Sequence, residues 1–203
     1  FCSLFVLSFF NCDIYFSDTK ILWPLAEPYN ITPQGPPICG MTTIGLSNSQ
    51  PGFTYEVHLL DISGLPYPTP SPYFSIETGT GSPLVFGTSN MPGTYVIIGY
   101  DQFHICSAQM YGSVTILAEP TQYWISPTGT INCVDQATGV EILLTGSENG
   151  VDYTLSNGGS VNITIPGTGS PLSFGFQNQP GTYTVTAINT GNSCTSNMIG
   201  SVT

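Results

Sequence analysis

Charge is scarce in this sequence, and positive charge is nearly absent. Only 6% of its 203 residues are Asp, Glu, Lys or Arg, Lys20 is the sole base, and the formal net charge is -11. Proteins that bind nucleic acid or anionic membrane surfaces neutralise phosphates with clustered Lys and Arg. We therefore expect no nucleic-acid partner and no insertion of the folded parts of the chain into a membrane.

Motifs for catalysis and metal binding are also missing. The sequence has no GxSxG, HExxH, GxxxxGK[ST] or CxxC pattern, so it lacks the local arrangements that activate a serine, hold zinc or cradle phosphates. Glu27 and Glu119 recur at equivalent positions, but no DxD or DxN cluster accompanies them to supply the roughly six to eight oxygen ligands that calcium needs. We expect no enzyme activity, no metal and no cofactor.

What the sequence does contain is an internal repeat. Three of its motifs occur twice in the same order: LAEP at 25–28 and 117–120, GTGSPLVFG at 79–87 and GTGSPLSFG at 167–175, MPGTY at 91–95 and QPGTY at 179–183. A repeat of roughly 90 residues predicts a tandem array of similar domains. We place the two modules at 29–118 and 119–203, after a segment at 1–28.

The second copy shows the alternation of apolar and polar residues that is typical of β-strands. Five rows of alternate residues are predicted to face inward: Val140, Ile142 and Leu144; Val151, Tyr153 and Leu155; Val161, Ile163 and Ile165; Leu172, Phe174 and Phe176; Tyr183, Val185 and Ala187. Turn signals separate the rows, and no stretch reads as a helix. The predicted fold class is all-β: two tandem immunoglobulin-like β-sandwiches in a rod-like array, preceded by an apolar N-terminal strand segment.

Four of the six cysteines recur in pairs. Cys39 and Cys106 bracket the first module as Cys133 and Cys194 bracket the second. We therefore predict the disulfides Cys39–Cys106 and Cys133–Cys194, each stabilising its module by about 4 kcal/mol through loop closure. Disulfides persist in oxidising compartments, so this pattern predicts an extracellular protein.

Several aromatic residues recur near turns or joints. Tyr95 and Tyr183 follow Pro-Gly-Thr at the start of the penultimate strand of each module. A tyrosine at this point of a sandwich often bonds through its hydroxyl to the preceding corner, and we predict this tyrosine corner in both modules. Trp23, Tyr123 and Trp124 lie near the module joints and are predicted to pack between modules.

The largest difference between the copies is an insertion in the first, SGLPYPTPSPYF at 63–74. Its prolines stiffen the loop and Tyr67, Tyr73 and Phe74 are its aromatic side chains, a combination suited to stacking on sugars or on another protein. A lid packed over its own module is the alternative. His58, on the outward row of the preceding strand, is predicted to be a solvated surface residue.

Both modules contain the same motifs in the same order: a cysteine, a strand ending in Leu-x-x-Ser, Gly-x-x-Tyr, GTGSPLxFG, PGTYxV and a second cysteine. This pattern, over residues 29–203, resembles the repeats of very large secreted surface proteins of the Bacteroidota, which are exported by the type IX secretion system. The resemblance implies export, attachment to the bacterial cell surface and a role in adhesion or motility. It implies no catalytic residues.

Residues 1–24 depart from the repeat. The apolar run FCSLFVLSFF at 1–10 fits the remnant of a signal peptide, and the segment also fits the end of a preceding module or a strand donated to a neighbouring subunit. Cys2 and Cys12 could pair with each other across a tight hairpin.

Together these features predict an extracellular structural or adhesive segment, a stalk or filament, of a secreted bacterial surface protein. Its expected partners are neighbouring modules or other copies of the same protein. Two alternatives stay open: a glycan-binding module that uses the loop at 63–74, and a fibre subunit that polymerises through its N-terminal strand.

Overall fold

The structure of the chain, a computed structural model, describes residues 25–60, 75–131, 139–159 and 162–203 in full, and the backbone of 12–16 and 19–23. Every regular element within these ranges is a β-strand. The chain forms two compact units, Phe1–Leu117 and Ala118–Thr203, which we name module 1 and module 2.

Module 1 carries the first set of strands. In chain order they are β1 (Cys12–Phe16), β2 (Thr19–Trp23), β3 (Ile31–Thr32), β4 (Ile38–Cys39), β5 (Thr42–Leu46), β6 (Phe53–Leu59), β7 (Ile76–Thr78), β8 (Leu84–Ser89), β9 (Gly93–Asp101), β10 (Ser107–Gln109) and β11 (Val114–Leu117). The first two strands form an antiparallel hairpin in which the backbone of Cys12 lies opposite Trp23.

The remaining strands of module 1 form two sheets. Strands β4, β11, β9, β6 and β7 lie side by side in that order, with β10 also paired to β9, while β3, β5 and β8 form the second sheet. Strand β11 is antiparallel to β9 and parallel to β4. Each sheet turns an apolar face toward a shared core, which is the sandwich architecture.

Module 2 repeats this plan. Its strands are β12 (Ile125–Ser126), β13 (Val140–Leu144), β14 (Val151–Ser156), β15 (Asn162–Pro166), β16 (Leu172–Gln177), β17 (Thr184–Asn189) and β18 (Thr195–Asn197). They form one sheet in the order β12, β13, β16 and another in the order β15, β14, β17, β18. Val202 bridges to Tyr183 and Gly129, where module 1 has β11 between β9 and β4.

The cores contain the alternating residues of both sheets. Module 1 buries Ala26, Ile31, Ile44, Leu46, Phe53, Tyr55, Val57, Leu84, Phe86, Tyr95, Ile97, Met110, Val114 and Ile116. Module 2 buries Ile125, Ile142, Leu144, Val151, Tyr153, Leu155, Leu172, Phe174, Tyr183, Val185, Ala187, Met198 and Val202. The predicted all-β sandwich fold is confirmed, because strand alternation supplies each sheet with one apolar face.

Phe176 is an exception to the predicted inward rows, since 66% of its surface is exposed. Glu141 lies opposite Phe176 whereas Leu143 lies opposite Ser173, so β16 has one residue more than β13 between these two pairs. This β-bulge includes Gly175, whose φ of 72° suits glycine. The extra residue turns Phe176 to the outer face, and the prediction that it faces the core is wrong.

The repeated GTGSP stretch forms a hydrogen-bonded corner in both modules. The Ser49 hydroxyl donates to the Ser82 carbonyl at 2.6 Å and accepts from the Thr80 amide at 3.0 Å. In module 2 the Ser147 hydroxyl donates to the Ser170 carbonyl at 2.5 Å. Both serines are buried, so these bonds satisfy groups that would otherwise lose their hydration without compensation. The GTGSP motif therefore recurs because each sandwich needs this corner to fold.

The first glycine of GTGSP is required by close packing. A Cβ at Gly167 would collide with the Glu148 carbonyl oxygen and meet the Tyr153 ring at 3.0 Å. The Tyr153 hydroxyl in turn accepts a hydrogen bond from the Glu148 amide at 3.0 Å. Gly79 lies in the same way against the ring of Tyr55.

We predict that Gly167→Ala destabilises module 2 by roughly 2–3 kcal/mol, because the backbone must move to accommodate the methyl group. Urea unfolding of the full chain measures this change. Thr168→Ala, next in sequence and exposed, is the matched control and should change stability by less than about 0.5 kcal/mol. Equal effects of the two substitutions would contradict the packing role of Gly167.

Candidate functional site

Cys39 lies at the end of module 1 where the chain leaves it. Strand β4 pairs in parallel with β11, and Cys39 is opposite Leu117, the last residue of the module. The Gly40 amide donates to the Leu117 carbonyl at 3.1 Å, which fixes the chain beside Cys39. Cys39 is disulfide-bonded.

Cys106 is also disulfide-bonded but lies at the opposite end of module 1. Its carbonyl accepts from the Asp101 amide, at the end of β9, at 3.1 Å. Strand β11 reaches the other end of β9, where Ile116 is opposite Gly93. At about 3.3 Å per residue, Gly93 and Asp101 are roughly 26 Å apart.

The predicted disulfide between Cys39 and Cys106 is therefore wrong. A disulfide joins residues whose Cα atoms are at most about 7 Å apart, and these two cysteines are separated by the length of β9. Residues 25–117 contain no other cysteine. Both cysteines therefore bond to partners outside this range.

Cys194 lies at the end of module 2 where the chain enters it. The side-chain amide of Asn192 donates to the Ala118 carbonyl at 2.9 Å, and its Oδ1 accepts from the Cys194 amide at 2.9 Å. Cys194 is buried and disulfide-bonded. Its predicted partner, Cys133, lies outside the described residues, as do Cys2 and the side chain of Cys12.

The tyrosines that follow Pro-Gly-Thr are buried and bond to the turn before them. The Tyr95 hydroxyl donates to the Met91 carbonyl at 2.9 Å. The Tyr183 hydroxyl donates to the Gln179 carbonyl at 2.7 Å. Each bond anchors the corner to the strand that begins there, and the pair belongs to the structure that the modules share.

The other predicted aromatic sites differ in their surroundings. Tyr123 is half-buried and packs against the core of module 2, whereas Trp124 is 57% exposed. Several of these sites lie outside the described residues: Tyr67, Tyr73, Phe74 and the side chain of Trp23.

A carboxylate and two histidines form a cluster that the sequence did not predict. Glu56 Oε2 lies 3.3 Å from His58 Nε2, and Glu56 Oε1 lies 3.5 Å from His104 Nε2. The Tyr100 ring stacks on His104 at a centroid distance of 5.0 Å. Tyr100 lies near this cluster because its strand, β9, pairs with β6, the strand of Glu56 and His58. The spacing Glu56-x-His58 indicates that these two side chains lie on one face of a strand. His104 is distant in sequence, so no local pattern connects it with them.

His58 is 3% exposed, so the prediction of a solvated surface residue is wrong. Strand alternation put its side chain on the face opposite the core, but alternation alone does not tell which groups cover that face. Burial lowers the pKa of His58, and the neighbouring Glu56 carboxylate opposes this shift. His58 is therefore held mainly as the neutral imidazole at neutral pH.

Asp101 is a second residue that the sequence did not single out. It is 3% exposed, and its Oδ1 accepts from the Ile105 amide at 2.7 Å and from the Cys106 amide at 2.9 Å. These bonds shape the turn between β9 and β10. Asp101 therefore positions Cys106 at the end of the module.

Within the described ranges, no group of three or more His, Cys, Asp or Glu side chains is arranged to hold a metal ion. In the same ranges, no helix is long and apolar enough to span a membrane.

No protein-family model and no curated protein sequence matches the chain. Among solved structures it is similar to a three-domain immunoglobulin segment of titin, with 12% identity over 91% of this chain and 68% of that chain and a TM-score of 0.41. It is similar to a two-domain fibronectin type III segment of chicken tenascin, with 9% identity over 88% and 94% and a TM-score of 0.40. A 282-residue intimin fragment, in complex with the intimin-binding domain of the translocated intimin receptor, matches with 11% identity over 86% and 64% and a TM-score of 0.37. The likeness concerns the fold alone.

We predict that acid destabilises module 1 through His58. The unfolded chain takes up a proton at a pKa near 6.5, whereas folded His58 does so only at lower pH, so the free energy of unfolding falls as pH drops through about 6.5. Hydrogen exchange of the β6 amides between pH 7.5 and 5.5, corrected for intrinsic exchange, measures this fall in the free energy of unfolding.

His58→Gln should remove this pH dependence, whereas His104→Gln, whose side chain is 53% exposed, should retain it. A slope that survives in the His58 variant would assign the effect to another group.

Proposed function

We propose that this chain is a structural segment of an extracellular protein, a stalk or filament of repeated sandwiches that disulfides stabilise. The observation that carries the proposal is the presence of oxidised cysteines at the two opposite ends of module 1. Because these two cysteines bond to partners outside residues 25–117, their disulfides hold both ends of the sandwich to chain outside this range.

The composition is consistent with such a role outside the cell. Disulfides persist in oxidising compartments, and the net charge of -11 keeps long arrays soluble and mutually repelling. The motif order of the two modules resembles repeats of secreted Bacteroidota surface proteins, which makes a bacterial cell-surface adhesin the specific form of this proposal. In this proposal the two sequence repeats span 29–118 and 119–203, after the segment at 1–28.

Non-reducing proteolysis followed by mass spectrometry tests the pairing. We predict that Cys39 and Cys106 are found in two different linked peptide pairs, each with a cysteine from outside residues 25–117. A linked pair that contains Cys39 and Cys106, or free thiols at these positions, would contradict the proposal.

Single and double cysteine variants provide the control. Cys39→Ser and Cys106→Ser should each lower thermal stability, and the double variant should show roughly the sum of the two losses, because each substitution removes a different bond. A double variant no less stable than the single variants would show that the two cysteines share one disulfide.

A further inference from the structure

Three apolar side chains cross the outer face of the sheet β12, β13, β16 in module 2. Trp124, Leu143 and Phe176 are 57%, 38% and 66% exposed, and we name them the apolar stripe. Trp124 is opposite Thr145, the residue that follows β13: the Trp124 amide donates to Thr145 Oγ1 and the Thr145 amide donates to the Trp124 carbonyl, each at 3.0 Å. Phe176 is opposite Glu141.

The register places the stripe on a diagonal. Glu141 and Leu143 of β13 and Thr145 just after it are alternate residues, so Trp124 and Phe176 are each a diagonal neighbour of Leu143 on the same face. From strand spacing and rise, the Cα atoms of Trp124 and Phe176 are about 16 Å apart. The stripe is therefore long and one side chain wide.

The fold does not require this stripe, because module 1 lacks it. The positions equivalent to Trp124, Leu143 and Phe176 are Asn30, Gly45 and Thr88, which make the same bridge and the same pairings in module 1. Both modules have the β-bulge, yet only module 2 presents an aromatic ring there. The shared architecture is thus stable with polar or small residues at these three places.

Hydrogen-bonding groups flank the stripe. The Ser173 hydroxyl donates to Glu141 Oε1 at 2.7 Å on the same face, and Thr145 and Ser126 are exposed beside Trp124. Residues 118–203 contain no Lys or Arg. An anionic ligand would therefore find no countercharge in this module, whereas hydroxyl groups of a neutral ligand could donate to Glu141.

The size of the stripe argues against a protein partner. Three partly exposed side chains offer roughly 350 Å² of surface, less than half of the about 800 Å² per partner that a stable protein interface buries. A narrow, flat row of rings bordered by hydroxyl and carboxylate groups matches a linear chain of sugar rings, whose faces are apolar and whose edges carry hydroxyls.

We propose that the apolar stripe is a binding site for a neutral polysaccharide, with Trp124 and Phe176 stacking on sugar rings and Glu141 accepting from sugar hydroxyls. This site is distinct from the loop at 63–74. The proposal does not depend on the spacer role, because the disulfide pairing can hold or fail without any ligand on this face.

The test uses Trp124 as its own reporter. The chain has two tryptophans, so Trp23→Phe leaves Trp124 as the sole one, and its fluorescence is titrated with a neutral β-glucan, a mannan, chitohexaose and the acidic polysaccharide alginate. We expect a saturable change with at least one neutral probe and none with alginate. Phe176→Thr, which installs the module 1 residue, should weaken binding about tenfold.

Tyr111→Ala is the matched control, since Tyr111 is an exposed aromatic of module 1 and its loss should leave binding unchanged. Melting temperatures confirm that each variant is folded. The proposal is overturned if no neutral probe gives a saturable change, or if Phe176→Thr binds as well as the parent. It is also overturned if the parent self-associates in sedimentation and Phe176→Thr abolishes that association, because a second copy then covers the stripe.

Discussion

Each module depends on a buried tyrosine packed on a glycine of a neighbouring turn. Tyr55 and Tyr153 are completely buried, their hydroxyls accept backbone hydrogen bonds, and their rings lie against Gly79 and Gly167. The ring fills the core while the hydroxyl holds the turn before its own strand, so one side chain links the two sheets to their connecting loops. This constraint explains why the tyrosine of Gly-x-x-Tyr and the first glycine of GTGSP recur in both modules.

Much of the architecture could be predicted from the sequence, because alternation and turn residues are local signals. The failures have a common cause, which is that they depend on contacts across strands. Phe176 is exposed because a bulge at Gly175 changes the register, and His58 is buried although it faces away from the core. The repeat suggested a disulfide between Cys39 and Cys106, but spacing along the chain does not reveal that β9 separates these two cysteines.

The repeat separates residues that build the fold from residues that are free to serve a function. Bonds shared by both modules, such as those of Ser49 and Ser147, are needed by any copy of the sandwich. Features present once, such as the Glu56 cluster in module 1 and the stripe around Trp124 in module 2, are not. A tandem protein thus contains its own internal control, and the unshared positions are where modules of one array acquire different roles.

Forced extension of the oxidised chain, with the load applied at residues 38 and 107, tests the central claim most directly. Because Cys39 and Cys106 lie at opposite ends of β9 and are not joined to each other, the account predicts that module 1 unfolds and gains length between these two points before any reductant is supplied. No gain in length until a thiol reductant is added would contradict the account, because it would require a disulfide between Cys39 and Cys106.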